Sequence, residues 1–216
     1  MTKTRYLITQ SLLSAWLYQY NCAEGYEESA REDFLRVLRR EPGEQSDAML
    51  RGISFEDAVY EMLRGDDQPA YEHCETYAKR SKEKEFNCIV EMARIMKGGT
   101  YQVTAYKDKT IGGVPFLLMA KCDWVKAGEI FDCKRVEDYK NVGKYLESVQ
   151  HPMYLEVIPS ARIFRYEICD GEDIYEECYT RTDIPQSIDS TIEQFVKALQ
   201  SEGLWDTYTK LWASKY

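Results

Sequence analysis

The sequence predicts an α+β protein, with a central, mostly antiparallel or mixed sheet flanked by helices. Apolar residues recur at helical period up to Lys97, alternate at strand period from Thr100 to Thr180, and return to helical period after Ser190. With 216 residues, 44% of them hydrophobic and 30% charged, the chain can bury one ordinary core and is too apolar to be disordered. A single domain over residues 1–216 is the expectation.

Thr9 or Ser11 can cap a first helix, on which Leu12, Leu13, Trp16, Leu17 and Tyr20 fall on helical spacing. A second helix is expected over residues 33–40, stopped by Pro42 and Gly43. Ser54 and Asp57 resemble a capping box that opens a third, reaching Leu63. A long fourth helix, 70–97, ends at Gly98-Gly99. Beyond it YQVTAY alternates, and PFLLMAKCDWV and EIFDCKRV read as strands. Residues 139–154 read as helix, and ARIFRYEIC and DIYEECYT as a hairpin about Asp170-Gly171. Ser190-Thr-Ile-Glu193 opens a last helix with Ile192, Phe195, Val196 and Leu199 on one face, stopping near Gly203.

Composition narrows the chemistry. The seven cysteines are odd in number and spread out with no CxxC pair, so neither a zinc ribbon nor a disulfide framework is indicated. Two histidines, His73 and His151, leave little material for histidine catalysis, whereas Asp and Glu number 37. A net charge of −9 opposes binding of a polyanion. Divalent cations held by carboxylates would reverse that charge locally, and basic residues bunch at Arg36, Arg39 and Arg40, at Lys79, Arg80, Lys82 and Lys84, and around Lys134. No apolar run spans a bilayer and the start lacks a signal-peptide core, so a cytoplasmic protein with no membrane partner is expected.

The segment KCDWVKAGEIFDCKRV, residues 121–136, carries the chemistry. A two-residue Ala127-Gly128 turn would set Lys126 against Glu129, and hence Asp123 against Asp132 and Lys121 against Lys134. Two carboxylates so placed repel each other unless a cation lies between them, and such oxygen donors suit Mg²⁺ or Mn²⁺. Lys134, two residues beyond Asp132, shares its face. An exposed hairpin face with alternating charges would read the same way.

Asp123, eight residues, then Asp132-Cys133-Lys134 resembles the core of the PD-(D/E)XK nuclease superfamily, with Cys122 where many members carry proline. Upstream, Gly52-Ile-Ser-Phe-Glu56 resembles the G-x-x-[FH]-[HE] helix start of RecB-type and phage lambda-exonuclease-like nucleases. Downstream, Gln150-His-Pro-Met-Tyr154 fits their Q-x-x-x-Y motif, although Pro152 disfavours the helical region for His151 and argues against one shared helix.

The resemblance implies a restriction-endonuclease-like core and a Mg²⁺- or Mn²⁺-dependent deoxyribonuclease, an exonuclease first and an endonuclease or inactive binding relative otherwise. It implies Glu56, Asp123, Asp132 and the Cys133 carbonyl as metal ligands, Lys134 as the residue that holds the attacking water, and Gln150 and Tyr154 contacting Lys134 or a phosphate. DNA is the implied partner; a single-strand annealing protein and a second copy of the chain are compatible with it. Some relatives carry an iron–sulfur cluster, but only Cys169 and Cys178 follow the Q-x-x-x-Y segment, so no cluster is expected.

Overall fold

A computed structural model describes residues 4–64 and 81–214. The fold is α+β, as the periodicities predict. Its mixed sheet has six strands, β1 (Tyr6–Thr9), β2 (Thr100–Ile111), β3 (Val114–Lys126), β4 (Glu129–Arg135), β5 (Ile163–Cys169) and β6 (Ile174–Thr180). The helices among the described residues are α1 (Gln10–Asn21), α2 (Glu27–Leu38), α3 (Asp47–Arg64), α4 (Ser81–Met96), α5 (Gln150–Val157), α6 (Ile188–Ser201) and α7 (Trp205–Leu211). None is long and apolar enough to cross a membrane.

The topology creates a fork. Strand β2 runs antiparallel along nearly the whole of β3, from Ile111↔Val114 to Thr100↔Val125. The other edge of β3 is shared: parallel β1 takes Phe116 to Met119, and antiparallel β4 takes Trp124 to Lys126. Among the described strands none pairs with residues 120–123 on that edge, and β4 diverges there to run parallel to β5. At the hairpin tip Ala127 and Gly128 have φ of 51° and 81°, the left-handed pair that a two-residue turn demands.

Two cores lie on opposite faces of the sheet. One packs Leu12, Phe34, Ile130, Phe164 and Phe195 under α1, α2, α5, α6 and α7; the other packs Phe55, Val59, Met92, Trp124 and Phe131 under α3 and α4. Adjacent Ile130 and Phe131 divide between them, as strand alternation requires. Cys122 and Trp124 also divide, although residues two apart share a face in a regular strand. The strand turns over at Asp123, opposite Gln102, which has φ of 48° and drops out of the ladder.

Several sequence expectations need correction. Four-residue β1 lies within the stretch read as wholly helical; Thr9, its last residue, also caps α1 by accepting the Leu12 N–H at 3.2 Å. Helix α2 starts six residues before 33. Helix α3 starts at Asp47, where the Ser46 hydroxyl accepts the Met49 N–H at 3.2 Å, so Gly52 and Ser54 lie inside it and Ser54 caps nothing. An interior glycine costs a helix only about 1 kcal/mol, too little to stop one already capped. Helix α6 opens at Ile188 with Ser187 as its cap rather than at Ser190. Residues 70–80 of the expected long helix, with His73, Cys74, Lys79 and Arg80, lie outside the described residues.

The helix expected over 139–154 begins only at Gln150. Glu177, on β6 and 5% exposed, explains this: its carboxylate accepts the N–H groups of Gly143, Lys144 and Tyr145 at 3.1, 2.9 and 3.0 Å. The hydroxyls of Tyr139 and Tyr179 donate to it as well. Amides committed to a carboxylate cannot donate along a helix, and Gly143 adds a left-handed φ of 84°. Conversely, Pro152 does not separate Gln150 from Tyr154. It is the third residue of α5, where its missing N–H would have no partner inside the helix.

Candidate active site

Asp123 and Asp132 face each other across the fork. Residue pairing between β3 and β4 holds the expected register from Lys126↔Glu129 to Trp124↔Phe131 and then stops. Beyond it, Asp123 Oδ2 accepts the Cys133 N–H at 2.9 Å, a side-chain bond where a ladder bond would otherwise stand. The expected Lys121–Lys134 pairing therefore does not form: Lys134 pairs with Ile168 of β5, and Lys121 is exposed.

Asp132 is 4% exposed. Its Oδ1 accepts from the Gln150 side-chain amide, and its Oδ2 is ion-paired with the Lys134 ammonium. That ion pair apart, Oδ2 is a buried oxygen with no hydrogen bond. Gln150 Oε1 lies 3.4 Å from Lys134 Nζ, so one buried amide ties the aspartate to the lysine. Four residues on, Tyr154 does not reach Lys134; its hydroxyl donates to the Lys121 carbonyl at 2.9 Å, satisfying an acceptor on the unpaired edge of β3. Cys133 turns its thiol away, 3.9 Å from the Met92 sulfur.

Glu56 approaches from α3, where Tyr101 donates to it at 3.3 Å and Gln102 donates to the Tyr101 oxygen at 3.0 Å. Burial lifts the Glu56 carboxyl above its ordinary pKa, with the Tyr101 bond opposing and the charge of Asp132 adding. Burial, then Asp132, then Glu56 raise Asp123 well above its own. For Lys134, burial favours the neutral amine, but the ion pair with Asp132 and the charge of Asp123 outweigh it and hold the ammonium. The charge of Asp132 thus bears on all three of its neighbours, Glu56, Asp123 and Lys134.

Among the described residues no three His, Cys, Asp or Glu side chains are gathered as a ready metal cage. The donor set nevertheless fits a hard divalent cation. It is made of oxygens, two of its members, Glu56 and Asp123, are disfavoured as anions by burial and by the charge of Asp132, and Asp132 offers a buried oxygen whose one partner is a cation.

Sequence reasoning missed the aromatic wall behind Lys134. Tyr166, the β5 partner of Asp132, places its ring 5.8 Å from Lys134 Nζ, and Tyr145 stacks on it at 4.5 Å. His151 is fully buried on that wall, stacked 4.4 Å from Tyr179, with Nδ1 3.3 Å from the Tyr166 hydroxyl and Nε2 unpartnered. Burial lowers its pKa to about 4, with Asp183 and Glu177 opposing. Between that value and the ordinary 6.5 the unfolded chain binds the proton more readily, so this residue's contribution to stability falls as pH drops through the window. Urea unfolding from pH 7 to 4.5 should therefore show wild type losing up to about 1.4 kcal/mol per pH unit more than His151→Phe.

No protein-family model matches the sequence, and no curated protein matches it. Solved structures align with it at low identity. The crystal structure of SSO0001 aligns at 13% identity and a TM-score of 0.48, covering 94% of this chain and 79% of that one. The crystal structure of LHK-Exo in complex with dAMP aligns at 14% identity and a TM-score of 0.42, covering 94% of this chain and 91% of that one.

Proposed function

We propose that this chain is one nuclease domain that hydrolyses DNA phosphodiesters from ends with Mg²⁺ or Mn²⁺, in phage-type recombination or repair. The observation that carries the reading is the fork: buried Asp132, whose Oδ2 meets the Lys134 ammonium, faces Asp123 and Glu56, whose carboxyls are disfavoured as anions by burial and by its charge. The order of the three motifs, which resembles RecB-type and lambda-exonuclease-like nucleases, supports DNA ends as the substrate.

Asp123, Asp132, Glu56 and the Cys133 carbonyl would hold the cation. A cation there supplies charge neutralisation at the phosphate and a water of lowered pKa. Lys134 stays protonated, and two of its three N–H groups meet Asp132 and Gln150. The third is left to orient a water or a phosphate oxygen. Gln150 fixes both partners, and Tyr154 holds open the unpaired edge of β3 through the Lys121 carbonyl.

The decisive assay incubates end-labelled linear and closed-circular duplex DNA with Mg²⁺, with Mn²⁺ and with chelator. Label should be released from linear DNA only with metal. Linearisation of circles as readily as linear DNA is degraded would replace the exonuclease by an endonuclease. Independently, either cation should stabilise the fold by about 2.7 kcal/mol at 100 times its Kd, read as a rise in Tm. That rise should vanish in the Asp123→Asn/Asp132→Asn double variant.

A further inference from the structure

Two thiols that the proposed chemistry leaves unused meet in the second core. Helix α4 buries Glu85, Cys88, Ile89, Met92 and Met96, a stripe at helical spacing. Two ion pairs dock the start of that stripe. Lys84 meets Glu172, in the β5–β6 turn, at 2.8 Å, and Glu85 meets Arg135 at the end of β4. Arg135 is in turn the ladder partner of Cys169, the last residue of β5. One helical turn past those anchors, Cys88 comes down on Cys169, and the two thiols are hydrogen-bonded to each other. Both are free and buried, at 4% and 0% exposure.

The pair is polarised. Cys169 Sγ accepts the Gly171 N–H at 3.2 Å, so its own S–H is left for Cys88. That bond lowers the Cys88 thiol below its ordinary pKa against burial, and raises Cys169 together with burial. The thiolate is the attacking species in disulfide exchange, which makes Cys88 the nucleophile and Cys169 the resolving thiol. We propose that Cys88 and Cys169 form a reversible disulfide that braces α4 against β5, with oxidised glutathione, a low-molecular-weight disulfide, as the oxidant. Cys88 attacks one sulfur of the oxidant, forming a mixed disulfide and expelling one glutathione thiolate. Cys169, its proton lost to solvent, then attacks the Cys88 sulfur and expels the second. Two protein thiols give up two electrons, and the oxidant is reduced to two thiols. The link fixes the layer that presents Glu56, because Phe55 and Val59 of α3 share this core with Cys88 and Met92.

The test incubates the full chain, first reduced, with oxidised glutathione in excess and maps the peptides without reductant. The peptide carrying Cys88 should be joined to the one carrying Cys169, at a mass about 2 Da below their sum. Tm should rise by at least about 4 °C and return when a thiol reductant is added. Cys169→Ser should halt the reaction with glutathione held on Cys88, whereas Cys88→Ser should leave Cys169 unmodified; neither variant should show the rise. Both thiols still free after oxidation would overturn the brace. So would Cys88 joined to another cysteine, or a link that leaves Tm where it was. Neither DNA nor metal enters these readouts, so they stand or fall apart from the nuclease reading.

Discussion

Asp132→Asn is expected to cut DNA hydrolysis by at least about 10²–10³-fold, the range seen when one electrostatic contact leaves an active site. Asparagine keeps the shape of the side chain and can still meet Gln150 after an amide flip, but it withdraws the charge that faces Lys134. The fold should survive, because two changes offset each other. Asp123 and Glu56 lose a repulsive neighbour, while the Lys134 ammonium loses its nearest partner and keeps Asp123. Circular dichroism should thus report an unchanged spectrum where the end-labelled assay reports almost no product. Lys134→Ala separates the roles: turnover should fall comparably while Mg²⁺ still raises Tm, since lysine is no ligand. Full activity in Asp132→Asn would discard the central assignment.

The periodicities made the helix–sheet–helix order readable, and the Ala127-Gly128 turn fixed the register that brings Asp123 near Asp132. A regular hairpin would carry its ladder on through both aspartates, whereas the strands part just before them and β3 turns over at Asp123. Such a twist depends on Gln102, on a different strand, and leaves no trace in local spacing. The motif Gln150–Tyr154 located its helix but not its contacts: Gln150 reaches two site residues and Tyr154 a backbone carbonyl. Strand β1 was hidden because four residues feed straight into the apolar period of α1. Tyr166 could have been found, since a parallel β4–β5 pairing sets it beside Asp132, but reading the sheet as mostly antiparallel steered away from that neighbour.

Residues 139–149 carry a helical apolar period yet form a loop. Its conformation is dictated from 30 and more residues away by Glu177, whose two oxygens collect three backbone amides and two tyrosine hydroxyls. Glu177→Ala strands those five donors at a site that was 5% exposed, so the fold should lose roughly 3–5 kcal/mol. For a chain of this size that is a fall in Tm of about 6–20 °C. Glu177→Gln, which keeps one acceptor oxygen, should fall between the two. The pH dependence carries its own signature. Burial works to raise the Glu177 carboxyl, but the bonds from Tyr139, Tyr179 and the amides outweigh it and hold it below its ordinary value of 4.5. Its stabilisation is therefore complete above that value and is lost as pH falls through the lower folded one. Wild type and Glu177→Ala should differ fully at pH 7 and converge only in stronger acid. Activity should follow the loop: Tyr145, freed from the carboxylate, loses its fixed place against Tyr166 and the wall behind Lys134, so hydrolysis should drop even where the variant remains folded. A Tm within about 2 °C of wild type for Glu177→Ala would mean that the loop holds itself, and that the clamp is a consequence of the site rather than one of its supports.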